Sequence, residues 1–189
     1  MNWNKLGIRL KIVPPESLVV SDYIPVFHRW IQGQVFEDHL LIDVHNYSHV
    51  KDGPGILLVA HEGQFSLSFD EVEPALFYVR RRPFGLEVKP QECLRKVFKT
   101  VLFAASMLES EGVAFMGVRF DVLVNDRLNT SSVDDVTQLK TVLSDFLREH
   151  FKGVDFSIEH SQDSSERLTL VLDSTNGSMN VNYLLERLT

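Results

Sequence analysis

The stretch from Asp43 to Gly63, DVHNYSHVKDGPGILLVAHEG, limits the fold more than any other part of the chain. Leu40 to Val44 and Ile56 to His61 are apolar enough to be strands, and the His45–Gly55 connection between them is too short for the crossover that parallel neighbours need. The two strands are therefore expected to form an antiparallel hairpin. Asp52-Gly53-Pro54-Gly55 suits its turn, glycine supplying positive φ and proline a fixed φ. The same loop resembles a glycine-rich anion cradle, but no Lys-Ser or Lys-Thr follows it, and a strand rather than a helix comes next.

The flanking segments extend this sheet. Ile8 to Val13 alternates with Arg9 and Lys11 and reads as a half-exposed strand ended by Pro14-Pro15. Ser21 or Asp22 suits the cap of a short helix with Pro25 in its first turn, Ile24, Phe27 and Ile31 on one face, and Gly33 at its end. Ile56 to His61 is apolar on both faces, which places it centrally in a covered sheet. Phe65, Leu67 and Phe69 alternate with Gln64, Ser66 and Ser68, a one-sided strand that could form a sheet edge. Leu76 to Arg81 is a fifth strand.

Pro90 opens the strongest helix, with Leu94, Val97, Phe98, Val101, Leu102, Ala105 and Leu108 at helical spacing and Gly112 beyond its end. Val118 to Val124 is a strand. Ser132 with Asp135 resembles a capping box for a helix that turns Val136, Leu139, Leu143, Phe146, Leu147 and His150 to the core. Val154–Glu159 and Arg167–Asp173 are strands around the polar turn SQDSSE, and Val181–Leu188 is a closing helix. Residues 8–61 and 118–173 both read strand, helix, strand, strand, which suggests a duplicated β-α-β-β unit. The expected class is α+β: antiparallel sheet with helices packed on one face, in segments 1–86, 87–112 (the joining helix) and 113–189, or all in one domain.

Composition narrows function by exclusion. An apolar fraction of 44% is enough for a core, and a net charge of -7 disfavours nucleic acid or an anionic membrane as partner. Cys93 is the sole cysteine, so no intrachain disulfide and no cysteine-based zinc site can form. With no apolar run long enough to span a bilayer and no signal-like core at the N-terminus, a cytoplasmic location is expected.

Three groups of residues could carry chemistry. His45, His49, His61, Asp43, Asp52 and Glu62 are metal-ligand types, but the hairpin puts His61 and Glu62 about 15–20 Å from the other histidines, so no metal site is assigned. The same geometry places His39 beside His61 and Glu62 at one end of the hairpin, where imidazole and carboxylate could move protons; a surface hydrogen-bonded cluster is the alternative. Arg80, Arg81 and Arg82 form the one dense basic run and could hold an anion, although alternation sends Arg80 and Arg81 to opposite faces. His28 reads as a histidine at the core edge and Cys93 as an inert thiol near a helix start. No cofactor is implied. The residues suit a non-enzymatic domain for protein–protein interaction or self-assembly, with a homo-oligomer or another protein as partner. The alternative is a small-molecule, anionic-ligand binder or an enzyme using His39, His61 and Glu62 with the arginine run.

Overall fold

A computed structural model of the chain describes residues 5–51, 53–69, 74–85, 87–124, 133–161, 168–174 and 180–188. In chain order its elements are β1 (Leu6–Ile12), α1 (Ile24–Gly33), β2 (Leu41–Tyr47), β3 (Gly55–Ala60), β4 (Gly63–Ser68), β5 (Ala75–Arg80), α2 (Pro90–Ser110), β6 (Phe115–Val124), α3 (Val133–His150), β7 (Phe156–His160), β8 (Leu168–Ser174) and α4 (Val181–Glu186). The strands form one sheet in the order β2-β3-β4-β5-β1-β6-β8-β7, and every neighbouring pair is antiparallel. The hairpin is as expected, with Leu41 opposite Ala60 and Tyr47 opposite Gly55.

Strand alternation decides which side of the sheet is covered. Leu6, Ile8 and Leu10 of β1, Phe120, Val122 and Val124 of β6, and Leu168, Leu170 and Leu172 of β8 join one core with the helices. α2 buries Leu94, Val97, Phe98, Val101, Leu102, Ala105 and Leu108, the stripe read from its spacing, and α3 buries Leu139, Leu143, Phe146 and Leu147. The Phe98 ring meets Phe120, Phe146 and Phe151, so α2, α3 and the sheet share one aromatic centre. The other face carries Arg9 and Lys11, whose cationic groups lie 3.4 and 3.6 Å from the buried carboxylate of Asp121. The fold is thus α+β, an antiparallel sheet with helices on one face.

Several local expectations are corrected. β3 is second from the edge rather than central; Leu57 and Val59 are only half-buried on its outer side. β4, which its one-sided pattern allows at an edge, is held between β3 and β5. The edges among the described strands are β2 and β7. The first helix has no side-chain cap from Ser21 or Asp22. A 3-10 turn over Val20–Tyr23 leads straight into it, with Pro25 in its first turn; Val26, Phe27 and Trp30 are fully buried, and Ile24 and Ile31 pack half-buried against the same core. His28 is exposed instead of at the core edge. Ser132, Arg167 and the SQDSSE turn beyond Ser161 lie outside the described residues.

Outward from the β1·β6 pair, one side of the sheet runs β5-β4-β3-β2 and the other β8-β7. The two β-α-β-β segments therefore place their last strands in corresponding order, with the β4-β5 hairpin interposed in the first; this order does not establish a duplication. Segments 1–86 and 113–189 share the sheet, and α2 packs on β1, β5, α3 and α4.

Candidate functional site

The hairpin separates the polar residues of Asp43–Gly63 into two groups. At the closed end of β3, Glu62 is a junction. Its carboxylate accepts from the Leu40 N–H at 2.9 Å and lies 3.0 Å from His61 Nδ1, and its carbonyl accepts from the N–H groups of Arg81 and Arg82 at 2.9 and 3.0 Å. One residue thereby ties the start of β2 and the ends of β3 and β5 together. Burial pushes the Glu62 carboxyl up, but the Leu40 N–H and His61 bonds outweigh it and hold the group below its ordinary value.

His39 enters this junction from the connection before β2. Only 7% exposed, its Nε2 lies 2.5 Å from the Tyr78 hydroxyl on β5. Burial lowers the His39 imidazole, against the pull of Glu62, and raises the phenol of Tyr78. A neutral imidazole and a protonated phenol can share this bond in either sense: the phenol donates when the ring proton is on Nδ1, and Nε2–H donates to the phenol oxygen when the proton is on Nε2. Gly63 makes room for the ring. A Cβ there would lie 2.5 Å from the Val79 carbonyl oxygen and 3.0 Å from the Tyr78 hydroxyl.

Arg80 follows Tyr78 by two residues and so shares its face. Its guanidinium lies 4.3 Å from the Phe84 ring centre, and its Nε is buried without a hydrogen-bond partner among the described residues. Arg81 and Arg82 are exposed, so the basic run does not act as one group. The structure therefore brings His39, Glu62 and Arg80 together around Tyr78, with His61 attached through Glu62 and itself 41% exposed at its side chain. Sequence reasoning misses Tyr78; its position two residues before Arg80 is the signal that it shares that arginine's face. Cys93 is buried, and burial pushes its thiol up to about 11, which suits an inert residue.

The titration of this cluster has a definite sign. His39 is depressed in the folded state, so the unfolded chain binds more protons below the ordinary imidazole value of about 6.5, and stability should fall as pH drops through that value towards the folded one. Glu62, also depressed, adds a second loss below the ordinary carboxylate value of about 4.5. Urea midpoints measured from pH 8 to about pH 3 should show both steps, and His39→Phe should remove the first alone. A His39→Phe variant that keeps the upper step would assign it to another group.

The far end of the hairpin is different. His45 and His49 are exposed, and His45 Nε2 lies 3.6 Å from the Asp43 carboxylate. Among the described residues no three His, Cys, Asp or Glu side chains gather as a metal site; Asp52 lies outside them. A cleft of about 280 Å³ opens here, lined by Val19, Tyr47, Ser48, Val50, Ser68 and Phe69 among others. No described helix is long and apolar enough to cross a membrane.

β2 itself carries the surface feature that sequence reading missed. Leu40 is 58% exposed, Ile42 54%, Val50 44% and Tyr47 38%, so four large apolar side chains stand on or beside one edge strand. Its first residues are partly closed. Gln34, in the left-handed region at φ 41, turns its amide onto Leu41, accepting from its N–H and donating to its carbonyl, both at 3.3 Å. Val44 N–H is taken by the Asp43 carboxylate at 2.8 Å. A shift in register between Leu41 and Asp43 bends the strand there. These are the devices by which sheet edges are kept from pairing at random, and they leave Ile42 to Asn46 as the accessible length.

No protein-family model matches this chain, and no curated protein matches it significantly.

Proposed function

We propose that the protein is a non-enzymatic interaction domain whose contact element is the edge strand β2. What supports this is the exposure of Leu40, Ile42, Tyr47 and Val50 along a single sheet edge, next to an open cleft. An edge strand offers main-chain groups to an added strand, and apolar neighbours give that addition its affinity. The His39–Tyr78 group, by contrast, is enclosed, and its bonds read as those of a structural junction. A photo-crosslinking residue placed at Ile42 should give specific adducts in cells, while one at Thr100, part-exposed on α2, should not. Equal labelling at both positions, or none at Ile42, would count against the reading.

A second reading has one observation in its favour. The buried, unpartnered Nε of Arg80 beside His39 and Glu62 suits the anionic group of a small ligand. Thermal stability titrated with inorganic phosphate and small dicarboxylates separates the two readings. A saturable rise that Arg80→Lys abolishes favours the ligand, and a flat response favours the junction.

A further inference from the structure

Resting on the reading of β2 as a contact element, we infer that its partner is a second copy of this chain, added antiparallel along β2 about a two-fold axis at Val44. The two sheets would then run on as one, with the helices of both copies on the same side.

Register follows from the residues on the strand. In an antiparallel pair, residues directly opposite share a face, and their side chains interact. For two copies joined into one continuous sheet, the two-fold axis must therefore pass through a residue position. Gln34 occupies Leu41 at one end, and at the other the chain turns away where Ser48 N–H bonds to the Asn46 side chain at 2.9 Å and Val50 N–H to the Tyr47 carbonyl at 2.9 Å. The centre is thus confined to the middle of the strand.

Charge then selects among the remaining centres. An axis at Asp43 sets two carboxylates against each other. An axis at His45 sets the two imidazoles together and leaves Asp43 facing Tyr47. An axis at Val44 places Asp43 opposite His45 of the second copy and His45 opposite its Asp43, so each carboxylate meets an imidazole that can donate to it. Within one copy these side chains already lie 3.6 Å apart, which shows that they project on the same side of the strand. At the centre the two Val44 residues face each other on the inner side, where Val44 packs against the core. The Val44 N–H, which donates to the Asp43 carboxylate in the single chain, donates instead to a main-chain carbonyl of the second copy. Ile42 falls opposite Asn46 and loses exposed apolar area.

The contact is short, so association is weak and depends on concentration. Light scattering over a dilution series from high to low micromolar should show mass falling from dimer towards monomer. Asp43→Lys and His45→Glu should each weaken association on the order of tenfold, because each altered pair occurs twice across the axis. Mixed in equal amounts, the two variants should associate again, since Lys meets Glu and His45 meets Asp43 in the mixed pair. Both positions are exposed, and unchanged melting temperatures verify that the variants fold. A wild-type chain that stays monomeric throughout, or a dimer indifferent to both substitutions and to mixing, overturns the inference. If the wild-type chain is monomeric while Ile42 still crosslinks to a different protein, only the self-pairing fails. If Ile42 gives no adduct at all, the interaction reading fails with it.

Discussion

Gly55→Ala is expected to cost about 2–5 kcal/mol, while the same change at Gly112 costs about 1–2 kcal/mol. Both glycines sit in the left-handed region, at φ +69 and +93, where a side chain carries a conformational penalty. Their surroundings differ. A Cβ at Gly112 meets nothing within 4 Å. At Gly55 it collides with the Leu67 carbonyl oxygen of β4 and lies 3.0 Å from the Ser68 Cα, all main chain of a strand paired on both sides. No rotamer change relieves that contact, so β3 must move away from β4, taking β2 with it through the Tyr47–Gly55 pairing. The two substitutions together separate the backbone penalty from the close approach. Urea denaturation with equal m-values reads both costs. A Gly55→Ala chain as stable as Gly112→Ala would show that the hairpin has room to spare. The Gly55 variant should also lose crosslinking from Ile42, because the edge strand it supports is displaced.

The hairpin was legible because a short connection leaves two apolar strands only one way to pair. α2 was legible for a similar reason: Pro90, Gly112 and a broad apolar stripe agree on where it begins, ends and packs. What alternation does not record is which strand lies alongside in the plane of the sheet. Phe65 and Leu67 announce one covered face whether β4 is interior or at an edge, so alternation leaves the edge strand undetermined. β3 looked central because Leu57 and Val59 are apolar, yet half-shielded positions on an open sheet face also accept such residues. β2 is the converse case. The sequence places His45 and Asn46 in the connection and Asp43 and His45 among the metal-ligand types, yet all three lie on the edge strand. The junction at Glu62 was reached from the hairpin geometry alone, which brings His39 and His61 to one end. Tyr78 escaped because its bond to His39 spans 39 positions, and no local pattern marks so distant a partner.

That bond gives a decisive test of what the cluster is for. Tyr78→Phe keeps the ring, which lies 4.6 Å from Phe65, and removes only the hydroxyl. His39 Nε2 is then left buried without its partner, which is expected to cost about 1–3 kcal/mol. His39→Phe leaves the Tyr78 hydroxyl, itself on a residue 1% exposed, in the same position with a similar cost. Removing both partners is different, because no unpaired polar group remains on either side. The site is already aromatic, with Phe36 5.8 Å and Phe65 6.0 Å from the His39 ring, so it accepts a phenylalanine pair. The double variant should therefore be more stable than the sum of the single costs requires, with a coupling on the order of 1–2 kcal/mol by double-mutant cycle. Urea midpoints at pH 8, where His39 is neutral in both folded and unfolded chains, give the cycle free of titration. Ile42 crosslinking should persist in the double variant, because Glu62 still holds the start of β2 through the Leu40 N–H. A cycle with no coupling would mean that the hydroxyl and imidazole stabilise the fold independently. A double variant that folds well but loses Ile42 crosslinking would move the pair from structural support into the contact function itself.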